Sequence, residues 1–281
     1  MTGKDKKEVC DVCMHRCALS EGQTGLCHAR ENIGGVIRPK NYGLLTAIAL
    51  DPVEKKPLKR FHPESCVLSV GSFGCNLSCP FCQNHEISQA DVDSAAAQEF
   101  TPQEICNVAL KAKEEDGNIG VAYTYNEALV GYEFVRDTAK LVHEAGMVNV
   151  LVTNGEASIK VLDELLFYID AMNIDLKGFS DEIYASLGGD LDMVKSFIKH
   201  AAGNCHIELT TLIVPGINDS EEDMRREAKW IASIDREIPL HITRFFPAYK
   251  KTDMECTDVR LLDRMAGIAG RELKYVYLGN I

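Results

Sequence analysis

Short apolar stretches rich in β-branched residues alternate with longer amphipathic stretches from residue 66 to the end of the chain. The apolar stretches have the length of strands, whereas the amphipathic ones repeat apolar residues at helical spacing. This alternation predicts an α/β fold in which helices connect the strands of a parallel sheet. The predicted strands are 66–71, 119–125, 148–154, 171–177, 207–214, 240–246 and 273–279. The predicted helices are 102–115, 129–145, 157–167, 190–202, 220–234 and 258–270.

Three regions differ in composition along the 281 residues, a length that fits one large domain with a small appendage. Residues 1–40 contain four cysteines and several glycines but no periodic apolar pattern. We therefore expect a small cysteine-rich module that a bound metal holds together. Residues 41–65 contain three prolines and are predicted to be a connector. Residues 66–281 are predicted to form the main α/β domain.

The charge balance excludes two classes of partner. The chain has 30 Lys and Arg against 42 Asp and Glu, a net charge of -12 at pH 7. Binding to nucleic acid or to an anionic membrane depends on excess positive charge, so we expect neither partner. The basic N-terminal residues are not followed by an apolar segment, which predicts a cytoplasmic protein without a secretory signal. In that reducing compartment, 11 cysteines indicate metal binding or catalysis rather than disulfides.

Three cysteines follow the first strong strand as C-x3-C-x2-C: Cys75, Cys79 and Cys82, here called the cysteine triplet. A loop at the carboxyl end of a strand lies on the face that carries the active site in barrel-like α/β folds. Each of the three thiolates can bind one iron of a 4Fe–4S cluster, which usually has four cysteine ligands. One iron would then stay open to a ligand from outside the protein. The alternatives are a zinc site completed by His85 and a chance grouping of cysteines.

With Phe81 just before its last cysteine, the triplet resembles the motif of the radical S-adenosylmethionine (SAM) superfamily. The resemblance implies a partial parallel (β/α)6-type barrel, with the triplet as the ligands of a 4Fe–4S cluster. It also implies that SAM is bound at the open iron, with Phe81 beside the adenine. The implied reaction is reductive cleavage of SAM to a 5′-deoxyadenosyl radical, which abstracts hydrogen from a substrate.

Three further strand ends resemble SAM-binding motifs of the same superfamily, and of the pyruvate formate-lyase activating enzymes in particular. The resemblance implies that Glu127 meets the SAM ammonium group and that Lys177 meets the SAM carboxylate, a charge-assisted contact. Asp175 and Lys177 lie on the same side of an extended chain because side chains alternate along a strand. The residues implied by these motifs are Asn126, Glu127, Thr153, Asn154, Asp175 and Lys177.

Over its whole length the sequence resembles the radical enzymes of the AmmeMemoRadiSam system, which are related to the activating enzymes. The implied partners are an electron donor of the flavodoxin or ferredoxin type and a substrate. That substrate is either a protein, for example at a glycine, or a small molecule. Two other functions stay open at the level of sequence: a non-catalytic metal-binding adaptor, and a barrel hydrolase with zinc at residues 75–85.

A second set of four cysteines, the N-terminal cysteine group, comprises Cys10, Cys13, Cys17 and Cys27. Four soft ligands in a segment with little core predict a structural zinc ion whose binding would drive the folding of the module. The alternative is a second iron–sulfur cluster, although the spacing differs from the common ferredoxin pattern. The other cysteines lack metal-binding spacing and are expected in the core or at incidental positions. They are Cys66, Cys106, Cys205 and Cys256.

Overall fold

The computed structural model describes residues 6–281. Residues 1–5 lie outside the described residues. They are the first residues of the predicted cysteine-rich module and of the N-terminal segment in which no secretory signal is expected. The strands are β1 (Glu8–Val9), β2 (Ala18–Leu19), β3 (Arg30–Ile33), β4 (Val36–Pro39), β5 (Leu44–Leu45), β6 (Ala47–Pro52), β7 (Cys66–Gly71), β8 (Gln98–Glu99), β9 (Asn118–Tyr123), β10 (Val148–Thr153), β11 (Ala171–Asp175), β12 (His206–Ile213), β13 (Leu240–Arg244) and β14 (Val276–Gly279). The helices are α1 (His85–Ser88), α2 (Pro102–Asp116), α3 (Tyr132–Glu144), α4 (Ile159–Leu166), α5 (Asp181–Leu187), α6 (Leu191–Ala202), α7 (Glu221–Ile234) and α8 (Val259–Ala269), with 3-10 turns at Val53–Lys55 and Ala128–Gly131.

Eight strands form one central sheet in the order β14-β13-β12-β11-β10-β9-β7-β6. Seven of them, β7 and β9 to β14, are parallel and lie in the sheet in chain order. Each connection therefore leads from one strand to its neighbour in the sheet. Strand β6 pairs antiparallel with β7 along its full length and forms one edge, while β14 forms the other. This mostly parallel sheet confirms the predicted partial barrel.

The predicted helices and strands of the main domain all occur, and the differences lie at their ends. Helix α2 begins where predicted because Thr101 and Glu104 form a reciprocal capping box in front of Pro102. The strand predicted over 171–177 ends at Asp175, because the Lys177 N–H donates to the Tyr184 hydroxyl and not to the neighbouring strand. Helix α5 and strand β6 were not predicted. The latter lies within 41–65, the predicted connector.

Small and β-branched side chains on the inner face of the sheet surround residues from the predicted connector. Val67, Val150 and Ala171 pack with Val53 and Leu58, all fully buried. The alternate residues of the same strands face the outer helices, as strand alternation requires. Residues 53–58, here called the plug, therefore fill the amino-terminal end of the barrel and leave its carboxyl end open. No helix among residues 6–281 has both the length and the apolar composition to cross a membrane.

Glu208 holds the two residues that follow the plug against the sheet, and its ionisation makes the stability of the fold depend on pH. Its buried carboxylate accepts hydrogen bonds from the Lys59 and Arg60 backbone N–H groups and from His206 and His241 at 3.0 and 2.6 Å. Burial by itself raises the pKa of Glu208, but these donors outweigh it and hold the pKa at about 2. The lowered pKa means that ionised Glu208 stabilises the fold above its unfolded pKa, and that this contribution is lost as the pH falls towards 2.

We expect the free energy of unfolding to fall by about 2–3 kcal/mol between pH 4.5 and pH 2, because Glu208 becomes protonated over this range. Urea denaturation at a series of pH values would measure this loss. In Glu208→Gln the free energy of unfolding should change less with pH over this range, whereas in Glu114→Gln, a change at an exposed residue, it should change as in the wild type. An unchanged pH dependence in Glu208→Gln would contradict the assignment.

Candidate functional site

A cavity of about 370 Å³ opens at the carboxyl ends of the parallel strands. Strands β7, β9, β10 and β11 are neighbours in the sheet, so the loops after them meet at one point. All ten residues that the sequence nominates for this region line the cavity. They are Cys75, Cys79, Phe81, Cys82, Asn126, Glu127, Thr153, Asn154, Asp175 and Lys177.

The loop that carries the cysteine triplet is held by the side chain of Asn126. The Asn126 Oδ1 atom accepts a hydrogen bond from Ser72 N at 3.0 Å, and its Nδ2 atom donates to Phe73 O and Gly74 O at 3.1 and 3.0 Å. Gly74 has a φ of +89°, and a Cβ there would lie 2.6 Å from Cys27 O. The loop thus needs glycine at residue 74 and uses Asn126 to fix its backbone.

The thiols of the triplet lie in surroundings that disfavour a bare negative charge. Burial raises the pKa of Cys75 well above its ordinary value and raises the pKa of Cys79 to about 11, although Lys177 partly offsets the second shift. Cysteine binds iron as the thiolate, so a cationic group in the cavity would stabilise the negative charge that burial disfavours. A donor set of three cysteine sulfurs fits an iron–sulfur cluster.

A single zinc ion at the triplet finds no support in the geometry. Within residues 6–281, no three His, Cys, Asp or Glu side chains converge as a site for one metal ion. His85, the fourth ligand of the zinc alternative, stacks instead on Tyr249 with ring centroids 4.5 Å apart. Its Nδ1 atom lies 3.2 Å from Cys82 O, and its side chain is not part of the cavity wall.

Glu127 joins the ends of β9 and β10. Its Oε1 atom accepts hydrogen bonds from Thr153 Oγ1 at 2.8 Å and Leu129 N at 3.0 Å, and its Oε2 atom accepts one from Asn154 N at 2.8 Å. Burial raises the pKa of Glu127, and these three donors oppose the shift. The Asn154 side chain in turn donates towards Cys75 Sγ at 3.7 Å. Glu127 therefore ties the second and third strand ends to the cysteine loop.

Lys177 supplies positive charge next to the cysteines. Its Nζ atom lies 2.7 Å from Asp175 Oδ2, so the pair lines the cavity together, as strand alternation predicts. Burial lowers the pKa of Lys177, but the negative charges of Asp175 and of Cys79 as the thiolate outweigh it and raise the pKa above the ordinary lysine value. The ammonium group stays charged and can receive an anionic ligand.

Tyr125 and Ser88 also line the cavity, and the sequence did not nominate them. Tyr125 has a φ of +74°, which turns its ring towards Asp51, and its hydroxyl donates to Asp51 Oδ2 at 2.7 Å. Lys56 Nζ contacts the same carboxylate at 2.9 Å and lies over the Tyr125 ring. Ser88 Oγ lies 3.3 Å from Cys82 Sγ. Sequence reasoning missed Tyr125 and Ser88 because their places in the wall follow from tertiary contacts, with Asp51 and Cys82, and not from a sequence motif.

The sequence profile of the radical SAM superfamily matches residues 69–228, which contain the cysteine triplet and the strand ends described above. The chain belongs to the radical SAM superfamily. Membership makes it an enzyme of SAM-dependent radical chemistry, and it implies a 4Fe–4S cluster and SAM as cofactors.

Two relatives place this radical SAM protein more closely. It is 40% identical over 280 residues to an uncharacterised protein of Methanocaldococcus jannaschii, covering 99% of this chain and 82% of that protein. It is 28% identical over 159 residues to the pyruvate formate-lyase 1-activating enzyme of Escherichia coli, covering 54% of this chain and 63% of that enzyme. The homology to activating enzymes predicted from the sequence is thereby confirmed.

The solved structures agree on the fold. A radical SAM methyltransferase from Sphaerobacter thermophilus superimposes with a TM-score of 0.57 at 16% identity, covering 78% of this chain and 67% of that chain. At this identity the similarity speaks for the radical SAM fold and not for a shared substrate.

Proposed function

We propose that the cysteine triplet holds the 4Fe–4S cluster and that SAM occupies the rest of the cavity. The observation that carries this proposal is the common wall of one cavity, in which three thiols and the Asp175–Lys177 pair face the same space. When bound, the cluster and SAM supply a one-electron cleavage that yields methionine and a 5′-deoxyadenosyl radical. The protein binds and orients these groups and excludes water from them.

The side chains of the wall divide this work by their chemistry. Lys177 offers a charged N–H donor to the carboxylate of SAM, and the Glu127 carboxylate attracts its ammonium group. Phe81 is buried with Ile183 and Leu187 and offers an apolar surface for the adenine. The remaining three nominated residues position the loops, since their polar atoms bond to backbone or to one another: Asn126, Thr153 and Asn154.

For the substrate we propose a partner protein from which hydrogen is abstracted at a glycine. Exposed side chains line the rim of the cavity, among them Lys55, Gln83, Asn84 and Asn280, so the site is accessible from solvent. A relative of this chain is a pyruvate formate-lyase 1-activating enzyme, whose substrate is by its name another enzyme. For the reductant we propose a low-potential donor of the flavodoxin or ferredoxin type.

Deuterium transfer from labelled glycine tests this function. The anaerobically reconstituted protein would be incubated with SAM, dithionite and a lysate from cells grown on α-deuterated glycine. The lysate would first be separated into macromolecular and low-mass fractions. We expect deuterium in 5′-deoxyadenosine only with the macromolecular fraction. Transfer from the low-mass fraction alone would favour a small-molecule substrate, and absence of 5′-deoxyadenosine from cluster-loaded protein would exclude the radical mechanism.

The metal of the N-terminal cysteine group stays a prediction from the sequence, with zinc and a second iron–sulfur cluster as its two candidates. Either metal fits four thiolates as ligands.

A further inference from the structure

The four cysteines of the N-terminal group line one small cavity that is separate from the cavity of the triplet. The hydrogen bond from Cys10 N to Cys17 O closes the first loop, and the antiparallel pair β1 and β2 supports it. Cys27 arrives from the turn that precedes β3. Cys10, Cys13 and Cys27 are buried, so the cavity is shielded from solvent on the cysteine side.

The four cysteines surround a small open space, which a single zinc ion does not leave. A tetrahedral zinc site holds four sulfurs about 2.3 Å from one point, which leaves no free space between them. Here the cysteines enclose room for about one water-sized sphere, roughly 10 Å³. No three of the metal-ligating side chains in residues 6–281 converge on a single ion site. The triplet, which we assign to a cluster, likewise lines a cavity.

Arg30 provides an independent sign of a bound anionic group in the N-terminal cavity. The residue is 4% exposed and lines the cavity. Its two terminal nitrogens are satisfied by Glu133 and by Val130 O. Its Nε atom is buried and has no hydrogen-bond partner among the described residues. A buried donor without a partner is costly, so an acceptor such as a cluster sulfur would resolve it.

The loops that carry the two sets of cysteines contact each other at Asn76, the residue after Cys75. His15, which lies between Cys13 and Cys17 in the chain, has its Nε2 atom 2.8 Å from Asn76 O. The Oδ1 atom of Asn76 accepts from Asn154 Nδ2 at 2.9 Å, and that same nitrogen lies 3.7 Å from Cys75 Sγ. Asn76 thus joins the neighbourhood of Cys75 to the segment of Cys13 and Cys17, and the backbone of Gly74 is so close to Cys27 that a Cβ there would lie 2.6 Å from Cys27 O.

We infer that the N-terminal cysteine group holds a second 4Fe–4S cluster, which passes electrons to the cluster of the triplet. A reduced flavodoxin or ferredoxin loses one electron, the N-terminal cluster gains it and then gives it up to the triplet cluster. No bond is made or broken in this transfer, and no proton moves at the cysteines. The metal assignment is independent of the proposed function, whereas the relay rests on it.

Metal analysis of a variant without the triplet tests the assignment. In Cys75→Ala/Cys79→Ala/Cys82→Ala the N-terminal module is unaltered, so its metal can be measured alone after anaerobic reconstitution with iron, sulfide and zinc. We expect about four iron and four sulfide per chain, with the electron paramagnetic resonance signal of a reduced 4Fe–4S cluster. Adding Cys13→Ser should abolish that signal, and adding Cys205→Ser should not. One zinc per chain, or no metal, would overturn the assignment.

The relay is tested by comparing reductants. In the double variant Cys13→Ser/Cys27→Ser with an intact triplet cluster, we expect formation of 5′-deoxyadenosine with dithionite but its loss with reduced flavodoxin. The integrity of the triplet cluster would be checked by its own spectrum, with and without SAM. Equal activity with both reductants would refute the relay while leaving the proposed function in place. If the wild-type protein forms no 5′-deoxyadenosine with dithionite, the proposed function fails, and the metal content still decides the second cluster.

Discussion

The Cys79→Ala variant is expected to form no 5′-deoxyadenosine from SAM under anaerobic reducing conditions. The triplet supplies only three sulfurs, so removal of one leaves the proposed cluster without a ligand for one of its irons. Cys79 is also close enough to Lys177 to shift its pKa, which places this sulfur beside the proposed carboxylate-binding group. Product formation would be followed by chromatography with dithionite as reductant, and the bound iron measured in parallel.

Cys106→Ala is the matched control for this experiment. Cys106 is buried in helix α2 and packs in the main apolar core, away from the cavity. The substitution removes one buried sulfur and should leave the formation of 5′-deoxyadenosine close to the wild-type level. Full activity in Cys79→Ala, or equal losses in both variants, would refute the assignment of the triplet as the site of cleavage.

In Lys177→Met the affinity for SAM is expected to fall by about 10- to 100-fold. A charge-assisted hydrogen bond contributes about 1.5–3 kcal/mol, and each 1.4 kcal/mol corresponds to a factor of ten in the dissociation constant. Methionine keeps much of the side-chain volume but removes the charge, and it leaves Asp175 facing the cavity without its cation. Isothermal titration of the cluster-loaded protein with SAM would measure the change.

Two further variants distinguish a lost charge from a disturbed fold. Lys177→Arg keeps a positive charge and should bind SAM more tightly than Lys177→Met. Lys199→Met removes an exposed lysine from helix α6 and should not alter the affinity. A wild-type dissociation constant in Lys177→Met would show that Lys177 does not bind the SAM carboxylate.

The local apolar pattern predicted the parallel strands, and the resemblance to superfamily motifs nominated the cavity residues. Each nominated pair or triplet lies at the end of a strand or just after it, and adjacent parallel strands end on the same face. Cys75, Glu127 and Lys177 were therefore expected near one another without knowledge of any side-chain contact. Periodicity also located the helices, because their apolar faces must pack on the sheet.

Contacts between distant segments were decided by the tertiary structure. Strand β6 and the plug at 53–58 carry no distinct periodic pattern, and only their packing inside the barrel shows what they do. Asn126 matched a cofactor-binding motif, and only the structure shows that its polar atoms hold the cysteine loop.

The N-terminal cysteine group shows most clearly which features the local sequence determines and which depend on tertiary packing. Spacing determined that four soft ligands lie close together, which is a property of a short piece of chain. It did not determine that the four cysteines surround a small cavity, or that His15 contacts Asn76, the neighbour of Cys75. Both depend on how residues 10–27 dock against a loop about fifty positions later. Ligand type is thus encoded locally, whereas the size of the site and the contacts between the two cysteine sets arise from packing between segments.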